Sequence, residues 1–357
     1  MAHRLSLAVI HVDDLKCTGN SIKLYNQLNK SLNQRYGLKG FEPLSSFVGI
    51  SYKRESDGSL VAHMKPKLEG IFEMLPDKGE SFRKSRVIST PSDGQSRDQR
   101  RDLQSGDLTP NEQFFLSNYS SIVGSVGWPA KMTNPHLAQS YSMLSRNLAN
   151  PQPADARHLR RVLQYIFHHL DDIFIMRANP KYRDLESMFM LSFSDSNYGD
   201  QKDKEYRSTT GYCIFLCGVL VSWKAKRQDT TACSTFEAEM DAAYTTFKES
   251  LWLKNLLVEL GFMNSKLPIA FWCDNNSAIL NLGKPPEDWT RVHLNTKYFR
   301  CCQWCLEKTF LHEHIEGRLN PADIFTKGLP ADVFSNLRNV LIQSLLLSFL
   351  ATFRNHF

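Results

Sequence analysis

The chain has 357 residues, of which 42% are hydrophobic and 22% are charged. These proportions lie in the ordinary globular range and exclude a disordered chain, and the length is enough to bury two substantial cores, so we expect two domains. Lysine and arginine total 43 against 37 aspartates and glutamates, a net charge of +6. This excess is compatible with phosphate-rich partners but does not by itself indicate one.

The eight cysteines lack the regular spacing of a small disulfide scaffold. The apolar run of residues 6–10 is too short for a signal peptide, and two aspartates soon follow it. Residues 340–353 are apolar but interrupted by Gln343, Ser344 and Ser348, so they are too short to span a bilayer. We therefore expect an intracellular protein, in the cytoplasm or nucleus, with reduced thiols, no membrane association and a terminal segment that docks as a helix or frays.

The first 76 residues have an α+β pattern. Residues 5–12 and the following LKCTGN are typical of a β-hairpin whose turn holds Asp13 and Asp14. Residues 21–38 carry apolar side chains at helical spacing, and residues 47–64 predict two strands that turn at Asp57 and Gly58.

A polar stretch separates this part from a helical one. Residues 77–109 are rich in Lys, Arg, Asp, Ser and Gly, which predicts a mobile surface connection that buries little. Apolar stripes over residues 111–132, 136–148 and 154–170, interrupted by prolines, predict three helical segments. We place the boundary to a second domain near Asn179 to Asp184.

The second domain opens with a predicted β-meander. Larger apolar residues alternate over residues 189–193, and the same period of two places Asp195 on their face of the strand. Residues 208–228 also alternate and turn at Cys217 and Gly218, which predicts two antiparallel strands beside the first.

A long helix is predicted from Ser234. Ser234 and Glu237 have the spacing of a capping box, and Gly261 is a plausible C-terminal stop. The capping box gives Glu237 a structural role. Glu239 falls beside the buried stripe, next to small alanines that leave room for another element to approach it.

Two further acids follow predicted strand or helix boundaries. Within residues 269–277, a short apolar strand ends at Asp274, and small polar residues follow it. Asp274 and Asp195 are therefore both predicted at strand ends. Pro321 marks a helix start just before Asp323. Such acids, together with Glu239, would repel one another unless cations compensate them. A paired magnesium site would do so and would align water and leaving oxygen for phosphodiester hydrolysis.

Several segments then match a known family in its own order. The second half of the chain resembles the ribonuclease H domain of copia-type retrotransposons through SDSNYGD, STTGYCIFLCGVLVSWKAKRQ, STFEAEMDAA, WCDNNSAI and NPADIFTKGLP. The first half resembles the reverse transcriptase of the same Pol polyprotein through HVDDLKCTGN, FVGISYKRESDG, SSIVGSVGW, MLSRNLANP and HLRRVLQYI. Together these segments cover most of the chain.

The resemblance implies an active site and a substrate. Asp195, Glu239, Asp274 and Asp323 would ligate two Mg²⁺ ions, which Mn²⁺ could replace, with Glu239 rather than Glu237 as the catalytic glutamate. The activity implied is endonucleolytic hydrolysis of the RNA strand of an RNA–DNA hybrid, leaving 5′-phosphate and 3′-hydroxyl ends, with 2′-hydroxyl contacts distinguishing RNA from DNA. Other parts of the retroelement polyprotein are further expected partners.

The resemblance also implies an architecture. We expect an α/β ribonuclease-H-like mixed sheet with flanking helices, preceded by an α+β truncated reverse-transcriptase palm, thumb and connection region. The expected divisions are a palm remnant and start of the thumb, a polar connection, a helical thumb and connection region, the ribonuclease H domain and a helical tail, at residues 1–76, 77–109, 110–184, 185–330 and 331–357. Asp13 and Asp14 would be vestigial polymerase residues, and polymerase activity is not expected because the family's third catalytic aspartate lies upstream of this sequence.

Three alternatives stay open. The chain is either this enzyme or a catalytically inactive nucleic-acid-binding remnant. Cysteines and histidines near residue 300 could bind zinc or simply pack: Cys301, Cys302, Cys305, His312 and His314. Candidate nucleic-acid contacts could equally cap helices or protect a sheet edge: Ser234, Thr235, Asn275, Asn276, Lys224, Lys226 and Arg227.

Overall fold

The computed structural model describes residues 6–12, 14–37, 43–92, 109–177, 179, 181, 187–199, 206–285, 288 and 296–353. Its strands are β1 (Ser6–His11), β2 (Asp14–Gly19), β3 (Ser46–Phe47), β4 (Ile50–Arg54), β5 (Leu60–His63), β6 (Phe174–Met176), β7 (Met190–Asn197), β8 (Thr209–Leu216), β9 (Val219–Arg227), β10 (Ile269–Cys273) and β11 (Phe310–His314). Its α-helices are α1 (Ile22–Tyr36), α2 (Lys65–Glu73), α3 (Glu80–Arg83), α4 (Pro110–Ser117), α5 (Tyr119–Met132), α6 (Ala138–Ser145), α7 (Pro153–His168), α8 (Thr235–Glu259), α9 (Asn276–Leu282), α10 (Thr296–Leu306), α11 (Ala331–Ile342) and α12 (Leu346–Phe353).

The predicted N-terminal hairpin is confirmed. Strands β1 and β2 pair antiparallel, with His11 opposite the exposed Asp14, whereas Asp13 lies outside the described residues. Helix α1 begins after Ser21, whose side chain accepts a hydrogen bond from the Leu24 amide. No residue of α1 is buried, so this first unit leaves its apolar side chains at the surface.

A four-stranded antiparallel sheet has the order β3-β4-β5-β6. The predicted turn between β4 and β5 is confirmed: Gly58 has a φ of +82°, and the Asp57 carboxylate accepts hydrogen bonds from Ser59. Strand β6 joins this sheet from beyond the helices α4–α7. The three predicted helical segments of that stretch are confirmed as well.

The expectation that residues 77–109 bury little is wrong for residues 77–92. They include helix α3, whose Phe82 is 1% exposed and packs against Phe72 and Phe167 with ring centroids 5.9 and 6.2 Å away. The average composition of residues 77–109 is polar and gives no sign that Phe82 is buried. Residues 93–108 lie outside the described part of the chain.

A five-stranded mixed sheet, with the order β11-β10-β7-β8-β9, forms the centre of the second half. Strands β7, β10 and β11 run parallel, while β8 and β9 complete the predicted antiparallel meander beside β7. Cys217 and Gly218 form the turn between β8 and β9, with φ angles of 51° and 87°. The expected mixed α/β class with flanking helices is confirmed.

Each face of this sheet supports a hydrophobic core. One face packs against α8 and α10 through side chains such as Phe247, which stacks on Phe310 with centroids 3.8 Å apart. The other face, with Phe193 and Phe215, packs against α4–α7 and α11 in one continuous cluster. The two cores are therefore separated by the sheet, and the second of them includes residues from both halves of the chain.

The C-terminal segment docks. Helix α11 buries Phe334, Leu337 and Leu341 in the shared core, and Leu346 at the start of α12 is fully buried. Across the described residues, every helix falls short of the combined length and apolarity that crossing a bilayer requires.

Candidate metal centre and nucleic-acid groove

Strand register places Asp195 beside Asp274. Strands β7 and β10 run parallel, with Ser194 opposite Cys273. An aspartate follows each of these two residues, so Asp195 and Asp274 lie at the same edge of the sheet. Asp195 is 2% exposed, and it lies on the central strand of the sheet. The prediction that the two acids lie on neighbouring strands is confirmed, although β7 continues past Asp195 to Asn197.

Asp323 reaches these two acids on a 3₁₀ helix, Pro321–Phe325. The side chain of Asn320 begins that helix by accepting from the Ala322 amide, and its Nδ2 donates to the Ser194 carbonyl at 2.9 Å and to Asp274 Oδ1 at 3.4 Å. Carboxylate oxygens of Asp195, Asp274 and Asp323 all lie within 4.8 Å of one another.

A glycine lets this 3₁₀ helix approach the sheet. A Cβ on Gly211 of β8 would lie 2.6 Å from Thr326 Cγ2, 2.8 Å from Phe325 Cβ and 2.9 Å from the Ala322 carbonyl oxygen. No side chain fits at such distances, so glycine at position 211 is a condition for placing Asp323 in the cluster.

Glu239 approaches the other side of Asp274 from helix α8. Its Oε1 accepts from the Ser196 amide at 3.3 Å, and its Oε2 accepts from the Cys273 thiol at 3.8 Å. Glu239, Cys273 and Asp274 also offer ligand atoms within 4.8 Å of one another. The described residues thus form two adjacent groups that share Asp274.

Glu237 has the capping role predicted for it, with one difference in its partner. Ser234 accepts from the Glu237 amide at 3.2 Å, while the Glu237 carboxylate accepts from Cys233, the residue before the cap, at 2.7 Å. Gly261, with a φ of +73°, follows the helix end as predicted. Glu237 points its carboxylate at the helix start, and Glu239 points its own at the acidic cluster.

The electrostatics of the cluster reflect burial and mutual repulsion. Burial and the Asp195 charge raise the pKa of Glu239 and of Asp274 above their ordinary values. The same two causes raise the pKa of Asp323 to about 8, although Lys327 opposes the shift. A site that raises the pKa values of its carboxyls in this way favours bound protons or bound cations.

Thr326 and Lys327 complete the cluster, and the sequence analysis missed both. The Thr326 hydroxyl donates to Asp195 Oδ2. Lys327 Nζ lies 3.0 Å from Asp323 Oδ1 and 3.6 Å from Asp195 Oδ2. Burial lowers the pKa of Lys327, but the charges of Asp195 and Asp323 outweigh burial and raise it. The i,i+4 spacing of Asp323 and Lys327 was the available signal.

The donor set suits a hard divalent cation. Four carboxylates offer the oxygen ligands that Mg²⁺ binds in proteins. Cys273 is fully buried, and burial followed by the Glu239 charge raises the pKa of its thiol, so it stays protonated as a donor to Glu239. The residues present therefore fit magnesium or manganese better than a thiolate-bound metal.

The zinc candidates are arranged otherwise. Cys301, Cys302 and Cys305 are buried in the core face of α10, and His314 Nε2 donates to the Asp274 carbonyl at 3.1 Å. Within the described part of the chain, the groups able to hold a metal are the two acidic ones, and these cysteines belong to neither. Packing explains the cysteines.

A groove of about 520 Å³ runs between β9 and α8. Lys224, Lys226 and Arg227 line it as one set, joined by Lys248 and by Trp252, which is 59% exposed. The sequence analysis missed the last two residues, although both lie on the predicted helix. Strand β9 is also a sheet edge, where lysines disfavour edge-to-edge pairing.

The remaining candidate contacts lie at helix starts. Ser234 and Asn275 are the caps of α8 and α9, and the Asn275 side chain accepts from the Ala278 amide at 2.9 Å. Thr235 and Asn276 are the first residues of these helices. All four thus occupy the helix ends nearest in sequence to Glu239 and Asp274.

Comparison with known proteins places the chain among transposon proteins. No protein-family model matches it. Curated relatives aligned over 92% of the chain are retrovirus-related Pol polyproteins from transposons. The relative from transposon TNT 1-94 of Nicotiana tabacum is 26% identical over 332 residues, which make up 24% of that polyprotein. The chain spans about a quarter or less of the length of these relatives.

Two solved structures have weaker similarity. The foamy viral protease-reverse transcriptase in complex with double-stranded DNA aligns with 86% of this chain and 46% of its own, at 10% identity and a TM-score of 0.46. The N-terminal ribonuclease H domain of rv2228c from Mycobacterium tuberculosis aligns with 42% of this chain and 96% of its own, at 12% identity and a TM-score of 0.27.

The fold and the acidic cluster define an α/β protein with a candidate metal centre at the carboxyl edge of a mixed sheet. The curated relatives that align with 92% of the chain are named retrovirus-related Pol polyproteins from transposons, and the chain is similar to one part of these polyproteins.

Proposed function

We propose that this chain is a metal-dependent ribonuclease H of a copia-type retrotransposon, which hydrolyses the RNA strand of RNA–DNA hybrids endonucleolytically. The observation that carries the proposal is the convergence of Asp195, Asp274 and Asp323 within 4.8 Å, with Glu239 in a second group that shares Asp274. These acids come from four separate elements of the chain. The raised pKa values of Glu239, Asp274 and Asp323 mark a cluster whose carboxylates repel one another until cations bind.

Two Mg²⁺ ions, or Mn²⁺ in their place, would be held by Asp195, Glu239, Asp274 and Asp323. Bound ions would supply an activated water and stabilise the leaving oxygen of the phosphodiester. The chain's own contribution is orientation: the Ser196 amide and Cys273 thiol fix Glu239, and Asn320 fixes Asp274.

The groove between β9 and α8 supports a nucleic-acid partner. Lys224, Lys226 and Arg227 offer positive charge for a phosphate backbone, and Trp252 offers an exposed aromatic face for stacking. Lys226 also pairs with Asp229 at 2.9 Å, which offsets part of its charge.

We assign 2′-hydroxyl and phosphate contacts to the helix starts. The Ser234 hydroxyl and the Asn275 amide group can donate while their oxygens serve as caps, and Thr235 and Asn276 stand beside them. Other parts of the retroelement polyprotein are proposed as partners, and a membrane is not.

The remainder of the chain is proposed to be a reverse-transcriptase remnant. The proposed divisions are those of the resemblance, namely 1–76, 77–109, 110–184, 185–330 and 331–357. Asp13 and Asp14 are proposed to be vestigial polymerase residues, and Asp14 is exposed in a two-stranded hairpin. Polymerase activity is not proposed.

Cleavage of a labelled RNA strand in an RNA–DNA hybrid by the full chain tests the proposal. We expect cutting with Mg²⁺ or Mn²⁺, none with a chelator, and none by Asp274→Asn. Asp332→Asn, which alters an exposed acid at the start of α11, is the matched control and should cut like the wild type. No cutting by folded wild type in either metal would favour the inactive nucleic-acid-binding remnant.

A further inference from the structure

A lysine occupies the part of the cluster where a cation is needed. Lys327 Nζ is 3.0 Å from Asp323 Oδ1 and 3.6 Å from Asp195 Oδ2. The side chains of Asp323 and Asp195 are 8% and 3% exposed, so solvent screens their charges poorly. Both carboxylates belong to the group of three assigned to metal binding.

The backbone around Lys327 is firmly held. Its amide donates to the Asp323 carbonyl at 3.2 Å, and the neighbouring Thr326 hydroxyl donates to Asp195. Asn320 ties the start of the same 3₁₀ helix to the Ser194 carbonyl at 2.9 Å. The ammonium group is therefore delivered to the acids by the same segment that delivers Asp323.

The side chain of Lys327 can nevertheless move into solvent. Lys327 is 34% exposed, in contrast to its two carboxylate partners. A four-carbon stem with a strongly hydrated ammonium group can move to solvent while the backbone stays in place. Lys327 and a divalent cation thus compete for the same oxygen atoms, and the lysine side chain can leave them without unfolding the segment.

We propose that Lys327 is a built-in counter-ion of the metal centre. As a positioning residue it holds Asp195 and Asp323 together in the metal-free protein, and the divalent cation displaces it on binding. Lys327 thereby stabilises the folded, metal-free site and lowers its affinity for metal. This inference rests on the proposed function, because it assumes that these carboxylates bind the metal.

Calorimetric titration of the full chain with Mn²⁺ and with Mg²⁺ tests this role. Lys327→Met removes the charge and keeps the length, so we expect metal to bind on the order of tenfold more tightly, since the cation no longer has to displace an ammonium group from Asp195 and Asp323. Lys327→Arg keeps the charge and should bind metal with an affinity close to that of the wild type. Lys266→Met removes an exposed lysine from the loop before β10 and should leave the affinity unchanged.

Thermal unfolding in chelator gives a second readout. Lys327→Met should unfold at a lower temperature than the wild type without metal, and saturating Mn²⁺ should remove most of that difference. If Lys327→Met folds only with Mn²⁺ present, the result supports the same role. Lys327→Gln, which keeps hydrogen-bonding capacity without charge, is the second variant and should shift the affinity in the same direction.

The outcomes separate the two proposals. Unchanged or weaker metal affinity in both neutral variants, with wild type binding metal, overturns the role of Lys327 and leaves the proposed function standing. If the wild type binds no metal but Lys327→Met does, the role of Lys327 is supported. If neither binds metal, both proposals fail together.

Discussion

Asp323 should make the stability of the metal-free protein depend on pH. Burial and the Asp195 charge raise its pKa to about 8 in the folded protein, from the ordinary value of 3.8. An acid that keeps its proton when folded and loses it when unfolded makes stability fall as the pH rises between those two values. The metal-free protein should therefore lose stability from about pH 4 to about pH 8 through this group.

The measurement is the difference in unfolding temperature between wild type and Asp323→Asn, in chelator, across that range. The difference is needed because burial lowers the pKa values of His136 and His169, which makes stability rise with pH below about 6.5. We expect the unfolding temperature of the wild type to fall relative to that of the variant by roughly 1–2 °C for each kcal/mol lost, because the unfolding entropy grows with chain length. A constant or rising difference would contradict the assignment.

Substitution of Glu237 should lower stability and retain cleavage, whereas substitution of Glu239 should abolish cleavage and retain the fold. Glu237→Ala removes the carboxylate that accepts from the Cys233 amide, and we expect a loss of about 0.5–2 kcal/mol with cleavage retained. Glu239→Gln should abolish cleavage while the fold persists, since it removes a proposed metal ligand. Denaturant unfolding and hybrid cleavage on both variants check this, and an inactive but stable Glu237→Ala would reverse the two roles.

Single residues differ in how far the sequence predicts them. Asp195 and Asp274 were predictable because each ends an apolar strand, and Glu239 because helical spacing set it apart from the capping residue. Lys327 had only its i,i+4 spacing from Asp323 as a signal. Gly211 was not predictable, because its role depends on a 3₁₀ helix that packs against a strand more than one hundred residues earlier in the chain, and local patterns carry no information on that contact.

At the scale of elements, the contact between β8 and the 3₁₀ helix controls the site. Gly211→Ala would place a methyl group 2.6 Å from Thr326 Cγ2 and force the helix away from the sheet. We expect a loss of about 1–3 kcal/mol from overpacking, together with weaker Mn²⁺ binding because Asp323 moves. Calorimetry and denaturant unfolding measure the two effects.

Gly127→Ala is the matched control for that experiment. Its Cβ would lie 2.5 Å from the ring of Tyr141, which is a side chain, whereas a Cβ at Gly211 would also meet the Ala322 backbone carbonyl. Gly127→Ala should therefore lower stability and leave the Mn²⁺ affinity unchanged. Equal weakening of metal binding in both variants would mean that Gly211 acts through general stability alone.

Elements with clear periodicity were predicted well and short ones were not. Alternation identified β7, β8 and β9, and capping signals located both ends of α8. Strand β6 and helix α3 have three and four residues, too few for a period to show, and their packing decides their form. Parallel pairing of β7, β10 and β11 also depends on long-range contacts that the sequence does not display.

At the scale of the molecule, the two halves share one core. The Trp223 indole on β9 donates to the Ala130 carbonyl at 2.9 Å, and Arg146 donates to Thr209 Oγ1 at 2.7 Å. On α11, Arg338 pairs with Asp172, which also faces the buried His136. The length of the chain allows two cores, and the described residues form two, one on each face of the five-stranded sheet. One of these cores contains residues from both sides of position 185.

A fragment of residues 187–353 should therefore not keep the stability of the full chain. Without α4–α7, the sheet would expose Leu191, Phe193 and Phe215, which are 4%, 0% and 0% exposed in the full chain. We expect a lower unfolding temperature, binding of an apolar dye and faster hydrogen exchange in β8 and β9. Strands β10 and β11 should be less affected, because α8 and α10 stay in place.

The contradicting outcome is a fragment that unfolds cooperatively at the temperature of the full chain and binds no dye. That result would show that the two halves fold independently, and it would support a domain boundary at residue 185.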